Sequence, residues 1–92
     1  RSETHDKSQE PPMYKVLLLN DDYTTMDFVV QILTTVFNKS AEDATRITLN
    51  VHRKGFGLCG VYVYEVAETK IETVHVLARG SEFPLKCVME KD

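Results

Sequence analysis

The sequence predicts an α+β fold: a three-stranded sheet with three helices packed on one side, in the order β-α-α-β-α-β. Three stretches, residues 14–19, 58–66 and 85–90, are apolar and rich in residues that suit strands. Between them lie stretches whose apolar residues recur at i, i+3 and i+4, the period of an amphipathic helix. Three strands cannot bury both sheet faces, so helices on one side are the economical solution.

Composition bounds the function. Ninety-two residues, 42% hydrophobic and 27% charged, describe one small globular domain that needs neither disulfide nor metal to fold. A formal charge of -3 without a basic block argues against nucleic acid or an anionic membrane surface as the main partner. No apolar run approaches a membrane span and no signal peptide is visible. The chain begins with Arg1 rather than Met, so an upstream piece is expected. Cys59 and Cys87 lack metal-ligand spacing, so no metal or cofactor is expected. They read as buried reduced thiols, with a disulfide open to them only on neighbouring strands.

In chain order, residues 1–12 hold no large apolar side chain and end in Pro-Pro, which reads as a disordered arm containing a solvated His5. The folded domain is then 13–92. The first strand, 14–19, is continuously apolar, which predicts burial on both faces for part of its length. A helix follows over 25–37, capped by Thr24 or Thr25, with Phe28, Ile32, Leu33, Val36 and Phe37 inward and Val29 toward the edge.

Ser40 caps a second helix, with Glu42 and Asp43 at its positive end. Ala44, Ile47, Thr48, Val51 and His52 share one side of it. Basic residues and Gly55 close it near 52–53. Thr48 is the odd member, a hydroxyl where a bulky apolar residue would pack better. A strand over 58–66 holds Gly60, which suggests a bulge or a close backbone contact. Thr69 and Glu72 form a capping box that should start the third helix, carrying Ile71, Val74, Leu77 and Ala78 inward. His75 is expected at a surface or edge.

The chemistry concentrates between the first strand and first helix, at Asn20-Asp21-Asp22. Such residues commonly make a turn and nothing more. The alternative is a polar cup for a cation or primary ammonium. His52, at the far end of the helical hairpin, could approach it, although a helix-terminal His is commonly structural. If they converge, an amide oxygen, a carboxylate and a neutral imidazole offer three acceptors to an ammonium's three donors. Met26, Val29, Thr48, Val51 and Leu85 could form an apolar wall beside them. That combination suits a free amino terminus with a hydrophobic first side chain. A hydrolase using Asp22 and His52 is disfavoured, because no nucleophile or phosphate loop accompanies them.

Three separated segments, LNDDYTTMDFVV, TLNVHRKGFGLCGVYVYEVAETK and FPLKCVMEKD, resemble the ClpS family of protease adaptors across nearly all of 14–91. The family fold, a three-stranded antiparallel sheet packed against three helices and similar to the C-terminal domain of the ribosomal stalk protein, matches the predicted order. The resemblance implies a non-enzymatic, monomeric, cytoplasmic protein of bacteria, or of an organelle stroma if a transit peptide once preceded it. It would bind N-degron proteins that begin with Phe, Leu, Tyr or Trp and deliver them to the N-terminal domain of the AAA+ unfoldase ClpA.

By the same resemblance, Asn20, Asp22 and His52 hold the substrate α-amino group, with Asp21 close by. Met26 gates against β-branched first residues, while Val29, Val51 and Leu85 line the pocket. Glu65 and Lys70 face ClpA with Tyr23 near that junction, and residues 1–12 match a flexible extension. Thr48 departs from the family, many of whose members carry Met there, so altered discrimination among first residues is expected. A non-degradative interaction module of the same fold is the alternative reading.

Overall fold

The computed structural model describes residues 10–92; of the arm expected over residues 1–12, residues 1–9, His5 included, lie outside them. The elements run β1 (Met13–Leu19), α1 (Met26–Thr35), α2 (Ala41–Lys54), β2 (Phe56–Val63), α3 (Tyr64–Gly80) and β3 (Lys86–Lys91), the predicted order. β1 is central in a β2-β1-β3 sheet, antiparallel to both neighbours.

All three helices cover one sheet face, where Val16 and Leu18 of β1 meet Phe28, Ile32 and Leu33 of α1, Ile47 and Val51 of α2, and Val74 of α3. Leu17 and Leu19 point the other way and are only partly covered, while Phe56, Leu58 and Val88 beside them are exposed. The expected burial of β1 on both faces is therefore corrected: side chains alternate across a strand, and nothing among the described residues packs on the second face.

Local signals explain most boundaries. Thr25, not Thr24, caps α1, its hydroxyl accepting from the Phe28 N–H at 3.2 Å. The Ser40 hydroxyl accepts from the Asp43 N–H at 3.1 Å and starts α2. α2 runs to Lys54, slightly beyond the expected end, and closes on Gly55 at φ 94°, a left-handed conformation that glycine adopts without steric strain. Opposite β1, β2 carries the expected bulge. Val16 faces Gly60 and Leu17 faces Leu58, which leaves Cys59 as the extra residue.

Three expectations fail around α3, one of them Leu77, expected inward but 42% exposed. The strand stops at Val63 rather than 66, and the helix begins at Tyr64, five residues before the supposed capping box. Ala67, Val74 and Ala78 are all buried on one helical face, so helical packing overrides the β-propensity of Tyr-Val-Tyr-Glu-Val. Thr69 consequently lies inside the helix, where its carbonyl accepts from the Thr73 hydroxyl.

His75 is half-buried rather than a surface residue; its Nε2 accepts from the Cys87 N–H at 3.0 Å and ties β3 to α3. Cys59 and Cys87 are free, buried thiols on the two strands that flank β1, so they are not on neighbouring strands. Burial pushes the Cys87 thiol up to about 12 and raises that of Cys59 as well, which keeps both protonated and unreactive.

Candidate functional site

The end of β1 and the end of α2 are joined by backbone. Leu19 pairs with Phe56 across the sheet, and one step on, the Asn20 N–H donates to the Gly55 carbonyl at 3.0 Å. Gly55 is the residue that closes α2, so His52 in its last turn is carried to the side of Asn20 and Asp22. Gly57 then lets the helix lie close on β2. A Cβ there would stand 2.7 Å from the Val51 methyl Cγ2 and 3.1 Å from the Ile47 carbonyl oxygen.

The result is a cup of about 290 Å³ lined by Asn20, Asp21, Asp22, Thr24, Met26, Val29, Thr48, Val51 and His52. Residues separated by more than twenty positions in sequence line this one cup. Asn20, Asp22 and His52 are exposed, while Val29, Thr48 and Val51 are buried behind them. Met26, the first residue of α1, stays 44% exposed, as a rim residue must. Three acceptors beside an apolar wall can receive the three N–H groups of a primary ammonium that carries a hydrophobic substituent.

Asp21 has a different task from the other acceptors. Its Oδ1 accepts from the Tyr23 N–H at 2.8 Å and the Thr24 N–H at 2.7 Å, and its Oδ2 accepts from the Thr24 hydroxyl at 2.7 Å. Partial burial alone would raise this carboxyl, but the bonds from Thr24 and Tyr23 outweigh it and hold the group below its ordinary value. Asp21 thus fixes the turn on which Asn20 and Asp22 ride. Thr24, expected only as a cap, is its clasp. The signal was the Asp-x-x-Thr spacing, which supports a side-chain-to-backbone turn.

Asp21→Asn should therefore lower stability by about 1–2 kcal/mol at neutral pH, toward the low end for charge-assisted bonds in a solvent-washed loop. Because the folded-state value is depressed, this contribution is complete above the ordinary carboxylate range and is lost as pH falls through the lowered value. Denaturation midpoints of wild type and variant are expected to converge in acid; a constant gap across pH would contradict the clasp.

The remaining expected site residues are scattered. Leu85 is buried but absent from the cup lining; it borders a cleft with His75, Phe83 and Pro84 instead. Tyr23, 76% exposed, stands beside the cup, in a second cleft with Leu19, Pro84 and Lys86 that also borders residues 20–22. Glu65 is exposed in the first turn of α3. Five residues on, and so about 140° around the helix, Lys70 turns inward. Its Nζ donates to the Val36 carbonyl at 2.8 Å and lies 5.7 and 5.4 Å from the Phe37 and Tyr62 ring centroids. That is a structural anchor for the end of α1. Among the described residues, no group of three or more His, Cys, Asp or Glu is clustered for a metal ion.

Comparison with known proteins places this geometry. Residues 9–88 match the family model described as ATP-dependent Clp protease adaptor protein ClpS. The chain belongs to the ClpS family. It is 62% identical over 89 residues to the ATP-dependent Clp protease adapter protein ClpS of Syntrophus aciditrophicus, covering 97% of this chain and 83% of the relative. It is 64% identical over 91 residues to the ClpS adapter of Hyphomonas neptunium, covering 99% and 77%. Among solved structures, Agrobacterium tumefaciens ClpS2 bound to L-phenylalaninamide superposes with a TM-score of 0.87 at 37% identity, covering 90% of this chain and all of that one. Members of the ClpS family are adaptors for the Clp protease rather than proteases, and the antiparallel α+β fold here is theirs.

Proposed function

We propose that this chain binds proteins through the free α-amino group and hydrophobic side chain of their first residue, an N-degron, and delivers them to the AAA+ unfoldase ClpA of a Clp protease. The observation that carries the reading is the cup itself. Asn20, Asp22 and His52 stand at an exposed mouth, and Val29 and Val51 are buried behind it, all lining one volume of about 290 Å³. The L-phenylalaninamide on the Agrobacterium relative supports it, because that molecule is a primary ammonium with a benzyl side chain.

In this reading Asn20 and Asp22 accept two of the ammonium N–H groups and the neutral His52 imidazole accepts the third. Val29, Val51 and Thr48 contact the side chain, and Met26 crowds a branched Cβ at the rim. The chain beyond residue one leaves along the second cleft, past Tyr23, Pro84 and Lys86. No chemical step is involved. Delivery follows from tethering: the cup holds the substrate while a second surface, for which exposed Tyr23 and Glu65 are the candidates, docks on the ClpA N-terminal domain and raises the local concentration at the pore. Lys70 would contribute there mainly by fixing α3. The setting is the bacterial cytoplasm; the relatives are bacterial, and no helix among the described residues is long and apolar enough to cross a membrane.

Fluorescence anisotropy with peptides identical after residue one tests the cup. Peptides beginning with Phe, Tyr, Trp or Leu should bind at least ten times more tightly than one beginning with Gly, since a buried side chain of that size contributes about 1.5–3 kcal/mol. Val and Ile should fall between them. Equal affinity across the series would remove the pocket from the mechanism.

A further inference from the structure

Threonine hydroxyls inside the helices of this protein have a regular habit. Thr34 and Thr35 both donate to the Gln31 carbonyl, Thr45 to Ala41 and Thr73 to Thr69. Thr48 breaks it. Its Oγ1 is the only buried side-chain polar atom among the described residues without a hydrogen-bond partner, and the residue is only 4% exposed. It also lines the cup. A threonine in a helix has two accessible χ1 wells, one of which bonds the carbonyl of the preceding turn, and that bond is not made here. Leaving a buried hydroxyl unpaired is unfavourable, so a partner is to be sought in what fills the cup.

We infer that Thr48 reads the tip of the substrate's first side chain and makes the cup selective for tyrosine over phenylalanine. The inference rests on the amino-terminus reading above. His52, at the mouth, is four residues C-terminal to Thr48, so the two are separated by about one helical turn, roughly 6 Å along α2. A benzyl side chain anchored by its amine at the mouth and running back along α2 spans about that length, which brings its para position to Thr48. A phenol both donates and accepts, so it satisfies the hydroxyl in either orientation. Phenylalanine and leucine exclude water from the cup and supply no partner. The indole N–H of tryptophan lies on the flank of its bicycle rather than at the far edge, and does not reach the same point. Because Oγ1 is screened from solvent in this structure, a χ1 adjustment accompanies the contact.

The test is the ratio of affinities for Tyr- and Phe-initiated peptides, identical otherwise, in wild type, Thr48→Val and Thr48→Ser. Wild type should favour Tyr by about 5–10-fold, the scale of one neutral hydrogen bond. Thr48→Val keeps the shape and removes the hydroxyl. It should bring the ratio to about one, and its melting temperature should be at or above that of wild type. Thr48→Ser should retain the Tyr preference, and serves as the second variant if Val disturbs folding. A wild-type ratio near one, or a ratio unchanged in Thr48→Val, overturns the inference and leaves amino-terminus binding intact. Failure of every free-amine peptide to bind wild type overturns both.

Discussion

N-acetylation of a Phe-initiated peptide should weaken its binding to this protein by at least about 100-fold. The ammonium offers three charged donors to Asn20, Asp22 and His52, which stand together at the mouth of the cup. Acetylation removes the charge and two of the donors and adds bulk where the acceptors converge. Hydrogen bonds to charged groups contribute about 1.5–3 kcal/mol each, so losing two amounts to about 3–6 kcal/mol, or two to four orders of magnitude.

The complementary change on the protein, Asp22→Ala, should cost the free-amine peptide about 10–100-fold while leaving the acetylated peptide unaffected. Asp22 is exposed, so the melting temperature should stay close to that of wild type, unlike Asp21→Asn. Titrations of both peptides against both proteins form a thermodynamic cycle. If the acetylated peptide bound as well as the free one, the acceptors would have no ligand role and the residues 20–22 turn would be only a turn.

Gly57→Ala should be the most damaging single methyl added near the site. The new Cβ would lie 2.7 Å from Val51 Cγ2, 3.0 Å from Ile47 Cγ2 and 3.1 Å from the Ile47 carbonyl oxygen. Val51 is β-branched and stiff at χ1, and the carbonyl belongs to a helical backbone, so neither yields easily. Relief requires α2 to lift from β2. Overpacking of this kind costs about 1–3 kcal/mol.

The functional loss should be out of proportion to the stability loss, because the moving helix carries Thr48, Val51 and His52 while Asn20 stays just past the end of β1. The bond from the Asn20 N–H to the Gly55 carbonyl bridges the two and would be stretched. Urea denaturation together with Phe-peptide affinity would show both effects. A variant with wild-type stability and affinity would mean that the contact between α2 and β2 yields to a methyl group without cost.

Much of the frame was legible before any coordinates. Ser40, Thr25 and Gly55 mark helix ends through bonds to residues within four positions, and Gly60 lies next to the bulge at Cys59. Such signals are local, so sequence carries them. The acceptors at 20–22 and the apolar positions Val29 and Val51 stand out in the sequence for the same reason; that His52 could approach them is suggested by the helical hairpin and implied by the family likeness. The capping box at Thr69 and Glu72 shows the opposite case. It is a valid local pattern, overridden because burying Ala67 together with Val74 and Ala78 starts the helix at Tyr64.

What sequence determined by itself, then, is the element order, most of the caps and the inventory of groups that could meet an ammonium. Tertiary structure alone decided how those groups are divided. It carried His52 to Asn20 and Asp22 at the mouth, while Asp21 is held by its own neighbours Tyr23 and Thr24. It drew Lys70 onto the Val36 carbonyl and kept Leu85 out of the cup lining. It also left the Thr48 hydroxyl without a partner. The physical reason is common to all four. A polar group's partner, or a side chain's neighbour, depends on which distant segment packing brings within about 3–4 Å, and no local pattern encodes that distance.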